Sequence, residues 1–493
     1  MQNPWLISIF KDLMFKYLTT SLASCFLLLG AVQASAQYIS EGQTDPEPTV
    51  FTLEQAIQVA LSENISVKVA DKEITRTEYA RKGTYAALYP QVDGSASYSR
   101  TIKKQVMYMD FDMSSFGGGG AEESMGEDIL TRASKSSGSG SGGGIEVGRW
   151  NTYSAGISAA MPLVNAQLWQ SLRISDQDVE LAVEKARSSR LETVTQVKQA
   201  FYQVLLAKEA FNVYKEVYEN ALENFQQTEK KYNVDKASEL EYQRAKSTVQ
   251  NAIPNVYDSE SAVVLALWQL KAVMGIDLDE DIDVAGGISD YASSMLRDIQ
   301  AGDEMTLEDN STLRQLAIQA EELANTIKLQ KYASLPSLAL SFSYSLNAMT
   351  NDFKFSEYQW SPYSAVGLSL SIPIFAGGKR HNAVRQAQTQ YDQLLLQNEN
   401  TERQLRIAIR QYLNQMETGM KNYASAQSGV ETARKAYEIA QKSYNLGSST
   451  ITELNSAQLA LTQAQLAESQ AIFNFVVARS NLEQTLGNDF TTE

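Results

Sequence analysis

Few residues in this chain could do chemistry. His381 is the only histidine and Cys25 the only cysteine among 493 residues. No histidine-based metal cluster or disulfide framework can be assembled from that stock, and no catalytic constellation appears around the one histidine. Gly377-Gly378-Lys379-Arg380 precedes His381 and resembles a phosphate loop, but no GK[ST] follows, and His381 reads as a solvated or interfacial polar residue. The carboxylates that stand out are Glu241 and Glu453, each near the end of a helix-breaking turn. No catalytic residue, cofactor or metal is expected, so the chain is not read as an enzyme. Its net charge of −16 argues against nucleic-acid binding, which wants a basic face.

The two turns are related. Tyr232 to Tyr242 reads YNVDKASELEY and Tyr444 to Leu454 reads YNLGSSTITEL, 212 positions later. The same offset carries Ala245 to Ala457, Ala266 to Ala478, Leu270 to Leu482 and Gly275 to Gly487, which marks an internal repeat. The helix after each turn carries a heptad seam. In the first half it runs Tyr242, Ala245, Val249, Ala252, Val256, Ser259, Val263, Ala266, Leu270, Val273; in the second, from Leu454 to Leu482, Glu468 is the one charged member. Pro254 lies inside the first of these helices and is expected to kink or interrupt it.

Domain boundaries follow from composition. Lys16, an apolar run over residues 18–32 and Ala34-Ser35-Ala36 define a signal peptide over residues 1–36. Leu22-Ala23-Ser24-Cys25 also has lipobox form, but the apolar run continues past Cys25, which favours cleavage after Ala36. Residues 37–50 are an extended lead-in, 51–275 the first repeat, 276–308 an acidic irregular linker, 309–487 the second repeat and 488–493 a tail. Thr52 is placed as the N-cap of a helical pattern that reaches to Tyr89, and Asn165 to Lys231 forms one helical run of roughly 100 Å. Apart from the leader, no segment has the run of about 20 apolar residues that a transmembrane helix needs.

Each repeat also contains two stretches of period two. Val92, Gly94, Ala96 and Tyr98 alternate with polar or small residues, as do Tyr153, Ala155, Ile157, Ala159 and Met161. In the second half Leu338, Leu340, Phe342, Tyr344 and Leu346, then Val366, Leu368, Leu370 and Ile372, do the same against Ser, Gly and Ala. The first pair is joined by a Gly- and Ser-rich segment, 103–148, expected to be a surface loop. Strands of about ten residues with one apolar face suit a transmembrane barrel, and Trp150, Tyr358, Trp360 and Tyr363 lie where an aromatic girdle would sit. A soluble sandwich with one wet face shows the same alternation. In a membrane, four strands cannot close and open edges are not tolerated, so further strands must come from other copies. A dimer supplies eight and a trimer twelve.

Two repeats of helix, hairpin, long helix, turn and helix resemble the TolC-like outer-membrane factor family, over roughly Phe51 to Gly487. The most specific piece is IPIFAGGKRHNAVRQA at 372–387, similar to that family's strand exit, here carried by Pro373, Phe375, Gly377 and Gly378; the first-half MPLVNAQLWQ lacks the glycine pair. The resemblance implies a mainly α fold, a homotrimer with a twelve-stranded barrel in outer-membrane lipid and an α-helical tunnel in the periplasm. It implies an exit duct for tripartite efflux of drugs, dyes or metals, or for type I protein secretion, working with a periplasmic adaptor (membrane fusion) protein and an inner-membrane pump. By position, Tyr444 matches a gate tyrosine, Glu241 its acidic partner across the repeats and Glu453 an acidic ring, while Asp235, Lys236, Gly447 and Ser448 fall at the adaptor-contact tips. Ser449 stands where some members have a gate arginine and Ser456 where they have a second acidic ring, which implies a less latched, less charged entrance. Asp235 replaces the family's glycine, so the first turn is expected to be built differently. In a trimer the two glutamates would bring six carboxylates near one axis and favour cations; ordinary solvated glutamates on a helix face would look the same in sequence. A coiled-coil scaffold or adhesin would account for the helices but leave the paired strands without use.

Overall fold

The computed structural model describes residues 49–107, 145–293, 295 and 306–487. The signal peptide, most of the lead-in, most of the Gly-rich segment and the C-terminal tail lie outside the described residues. Contacts divide the chain into a small unit, containing residues 49–50 and 281–283, and a large one with the remaining described residues. In the small unit the Thr49 N–H donates to the Asp281 carbonyl at 3.0 Å. Strand β1 (Thr49–Phe51) pairs with a strand inside the linker, Ile282–Val284, so the linker is not irregular throughout.

In the large unit, helix α1 (Leu53–Glu63) starts at Thr52, which forms the expected cap as a full capping box with Gln55. The helical pattern then breaks at Asn64, and α2 (Ile65–Ala86) follows. Strand β2 (Gln91–Arg100) leads to short arms β3 (Gln105–Met107) and β4 (Ile145–Val147), which pair with each other at the base of the Gly-rich segment. Then come β5 (Asn151–Val164), α3 (Ala166–Tyr232) and α4 (Glu239–Met274), and in the linker the strand already described, β6. The second repeat gives α5 (Ser311–Tyr332), β7 (Ser337–Thr350), β8 (Ser361–Ser371), α6 (Lys379–Asn445) and α7 (Ile451–Leu486). Helices α3 and α6 each have 67 residues, about 100 Å at 1.5 Å per residue.

The strands form one antiparallel sheet in the order β2-β5-β7-β8. Directly opposed residues share a face, so the register decides the faces. Gly94 opposes Ile157, Ile157 opposes Tyr344, Phe342 opposes Val366 and Leu340 opposes Leu368, which puts the alternating apolar residues named above on one side, except Ile372, which follows the end of β8. The other side carries Ser97 opposite Ser154, Ser158 opposite Ser343 and Ser341 opposite Gly367. The two Ser97 and Ser154 hydroxyls bond each other at 2.6 Å. On the apolar side Val366, Leu368 and Leu370 are exposed, as they would be against lipid rather than in a core. Tyr98, Tyr153, Phe355 and Tyr358 cluster at the loop end of the sheet, with ring centroids about 5 Å apart.

Helices stand side by side in the order α4-α3-α7-α6, and nearer the sheet in the order α2-α3-α5-α6. The seams are buried as the heptads require: Ala245, Ala252, Ser259, Ala266 and Leu270 on α4, and Leu454, Leu461, Ala471, Phe475, Ala478 and Leu482 on α7. Helix α4 continues through Pro254 as one element, so the proline does not interrupt it. Pro254 and Gln250, the residue four back whose carbonyl loses its partner, both lie on the exposed side. Water can take that carbonyl there.

One joint recurs in both halves. Asn64 caps α2 with its carbonyl oxygen while its amide donates to the Val273 carbonyl at 2.6 Å. Asn310 caps α5 and donates to Thr485 at 2.6 Å. The adjoining helix ends close on Gly275 and Gly487, both left-handed. A Cβ on Gly487 would collide with the Asp309 carbonyl, and one on Gly275 would lie 2.8 Å from that of Glu63. Only glycine permits that approach.

Candidate functional site

The helix tips lie at the far ends of α3 and α6 from the sheet. Each tip follows from three local signals. The first helix ends, one residue turns left-handed, and a capping box starts the next helix. In the second tip Gly447 has φ +76°, with Gly447 N–H on the Tyr444 carbonyl at 3.0 Å and Ser448 N–H on the Ser443 carbonyl at 2.9 Å. In the first, Asp235 has φ +57°, the only positive value on a non-glycine among the described residues. Its N–H bonds the Tyr232 carbonyl at 3.0 Å and the Lys236 N–H that of Lys231 at 2.8 Å. The first turn is therefore built like the second, not differently. Aspartate tolerates this region better than most residues because its short polar side chain can bond locally.

Glu241 and Glu453 are the third residues of their helices and complete the capping boxes. Glu241 accepts from Ser238 N–H at 3.0 Å, and Ser238 Oγ accepts from Glu241 N–H at 3.2 Å. Glu453 and Thr450 make the same reciprocal pair at 3.2 and 3.3 Å. The Ser449 hydroxyl also donates to the Glu453 carboxylate. That bond and the Thr450 N–H hold the Glu453 carboxyl below the usual glutamate range, so it keeps its charge.

Tyr444 is 5% exposed and packs with Ala245, Val430, Tyr437, Ile451, Leu454 and Leu461. Its hydroxyl lies 2.6 Å from Thr228 Oγ1, which already donates to the Asn224 carbonyl at 2.8 Å. Threonine has one hydroxyl proton, so Tyr444 is the donor. Within this chain Tyr444 and Glu241 therefore do not bond each other, as the resemblance implied; α3 supplies the tyrosine's partner and Ser238 the glutamate's. Lys231 Nζ sits 5.0 Å from the Tyr444 ring centroid. The repeat-related Tyr232 is 37% exposed and stacks on Tyr242 at 5.0 Å.

Two bonds that the sequence reading missed tie the tips together. Arg244 Nη1 donates to Thr452 Oγ1 at 3.4 Å, and Asn455 Nδ2 to Thr248 Oγ1 at 2.9 Å. Both join α4 to α7. No motif singles out Arg244, Thr248 or Asn455, because their meaning arises only once the two repeats lie together. At the outer edge of the tips Asp235, Lys236, Gly447 and Ser448 are exposed, as are Val234 and Leu446.

At the other end of α6, the strand-exit motif turns from sheet to helix. Gly377 and Gly378 both have positive φ, and Arg380 Nη1 donates to the Pro373 carbonyl at 2.9 Å, bracing the bend. Phe375 is 87% exposed and Ile374 91%. His381 is exposed beside them.

A sheet with one apolar face is continued by long paired helices that turn at capped tips. The chain belongs to the outer membrane efflux protein family, whose model matches residues 56–276 and 304–488. It is an outer-membrane protein of an efflux family, not an enzyme. Among curated relatives it is similar to outer membrane protein TolC of Vibrio cholerae, 20% identical over 240 residues, covering 48% of this chain and 54% of the relative. It is also similar to the alkaline protease secretion protein AprF of Pseudomonas aeruginosa, 22% identical over 289 residues, covering 58% of this chain and 59% of the relative. The chain thus spans somewhat over half the length of the curated relatives it matches. Among solved structures, the Campylobacter jejuni CmeC outer membrane channel shares its fold, with a TM-score of 0.64 at 18% identity, covering 88% of this chain and 85% of that one.

Proposed function

We propose that this chain is one of three identical copies of a passive outer-membrane exit duct, closed at rest by its periplasmic helix tips. It serves small-molecule efflux with an inner-membrane pump and a periplasmic adaptor. The observation that carries this reading is the pair of sheet edges, β2 and β8, unpaired among the described residues on a sheet with one apolar, exposed face. In hydrocarbon such edges must be paired, and four strands are too few to pair with themselves. The flanking helices agree, since α4 and α6 stand at the ends of their row. Three copies give twelve strands.

In this assembly the tips are the gate. Tyr444 on Thr228, Arg244 on Thr452 and Asn455 on Thr248 are its ties within a protomer. Glu453, held ionised, and Glu241 supply a cation-favouring ring, and the exposed residues Asp235, Lys236, Gly447 and Ser448 meet the adaptor. A second reading, export of protein by a type I secretion system, rests on the likeness to AprF.

Mass measurement of the detergent-extracted outer-membrane protein tests the assembly. Three copies per particle is the expected result, and a monomer or dimer overturns it. Cells lacking the chain are expected to accumulate dyes. If they instead keep dye export and lose a secreted protein, the second reading replaces the first.

A further inference from the structure

The two repeats agree strand by strand, and this agreement specifies a contact that one chain cannot make. Every pair joining β2 to β5 maps onto a pair joining β7 to β8 when β2 is advanced by 246 residues and β5 by 211. Gln91 opposite Ala160 becomes Ser337 opposite Ser371, Val92 opposite Ala159 becomes Leu338 opposite Leu370, and Arg100 opposite Asn151 becomes Leu346 opposite Pro362. The remaining pairing, β5 with β7, joins the first repeat to the second. Its image under the same offsets would join β8 to β2, and among the described residues those are the two free edges.

We infer that β8 pairs antiparallel with β2 of a second copy in the register of β5 with β7, so that Ser369 faces Ser97, Ile372 faces Gly94 and Pro373 faces Asp93. This rests on the oligomeric reading above and adds its register. Three observations support it. First, the register keeps the faces consistent: Ser158 opposite Ser343 maps to Ser369 opposite Ser97 on the hydroxyl side, and Ile157 opposite Tyr344 maps to Leu368 opposite Tyr98 on the apolar side. A one-residue slip would mix them.

Second, the register gives a partner to a segment that lacks one. In the first repeat, residues 161–164 are strand because β7 continues beside them. Their counterparts, residues 372–375, belong to no strand, since β7 begins opposite Ser371. β2 of a second copy would run alongside them. Third, β5 shifts register between Pro162 and Val164, where Val164 faces Leu338. The matching shift after Pro373 sets Phe375 opposite Val92. These are 87% and 65% exposed in the single chain, and each covers the other. A residue of the strand-exit motif is then a contact between copies.

Cysteine pairing reads the register directly. In the full chain, Ser369→Cys is combined in turn with Ser95→Cys, Ser97→Cys and Ser99→Cys, and outer-membrane fractions are oxidised, with Ser369→Cys alone as the blank. Opposed residues have Cβ atoms about 5 Å apart and diagonal ones roughly 7–8 Å, while a disulfide needs Cβ atoms near 4 Å. The expected result is linkage between copies that is strongest with Ser97→Cys. Strongest linkage with Ser95→Cys or Ser99→Cys, or equal linkage in all three, overturns the register. So does linkage in none, if the protein still runs as a heat-dissociable oligomer. A protein that is monomeric in those fractions overturns the oligomeric reading itself.

Discussion

Tyr437 and Tyr444 lie seven residues apart on one face of α6 and are buried to nearly the same degree, yet their hydroxyls fare differently. The Tyr444 hydroxyl donates to Thr228, whereas that of Tyr437 finds no hydrogen-bond partner among the described residues. Burial, with Glu216 and Glu223 nearby, pushes the Tyr437 hydroxyl up to about 12, so it stays neutral at any physiological pH. Tyr444→Phe is therefore expected to destabilise the tip by about 1 kcal/mol, while Tyr437→Phe is neutral or slightly stabilising. Dissociation temperatures of the two variant oligomers check this; equal losses would contradict it. Sequence alone pointed to Tyr444 through family position, with Glu241 rather than Thr228 as its partner. The glutamates were more legible than their assigned roles. Ser238-x-x-Glu241 and Thr450-x-x-Glu453 are capping-box spacings, and that local chemistry fixes where each carboxylate goes. Thr228 could not be foreseen, because it lies 216 residues from Tyr444 and on another helix.

Among the elements, the heptad seams and the alternating strands were readable because packing imposes a period on the residues that make it. Glu468 is the exception inside a seam. It sits half-buried on α7, facing Glu209 of α3 and Arg434 and Tyr423 of α6. Burial raises its carboxyl above the usual glutamate range, Arg434 pulls it back and Glu209 pushes it further up. The folded state then holds this proton more tightly than the unfolded chain does. The penalty is fully present above the raised folded pKa and fades as pH falls through it towards the ordinary value. Glu468→Gln is expected to raise the dissociation temperature at neutral pH and to flatten its rise between neutral and mildly acidic pH. An unchanged pH dependence would show that the proton goes elsewhere. The joints at Asn64 and Asn310 were not readable as joints. The two residues stand at equivalent positions of the repeats, but an asparagine amide meeting a carbonyl 209 or 175 residues away leaves no local pattern. The linker strand was hidden for a similar reason, since its partner is the lead-in at the start of the chain.

For the whole molecule, alternation told which face of the sheet is apolar, and the repeat told that the halves are alike. Neither shows closure in one chain, because in the proposed assembly closure belongs to several copies. In the proposed assembly the edges of β2 and β8, unpaired among the described residues, the exposed Phe375 and the end positions of α4 and α6 belong to a wall that continues into the next copy. Closed tips on a wide duct make a direct electrical claim. Single-channel conductance in planar bilayers tests it, comparing the unaltered protein with a variant carrying Tyr444→Phe and Arg244→Ser, which lacks two of the ties at the tips. The account predicts a small conductance for the unaltered protein and one several-fold larger, still cation-preferring, for the variant. An unaltered protein that already conducts as fully as the variant would contradict a gate at the helix tips.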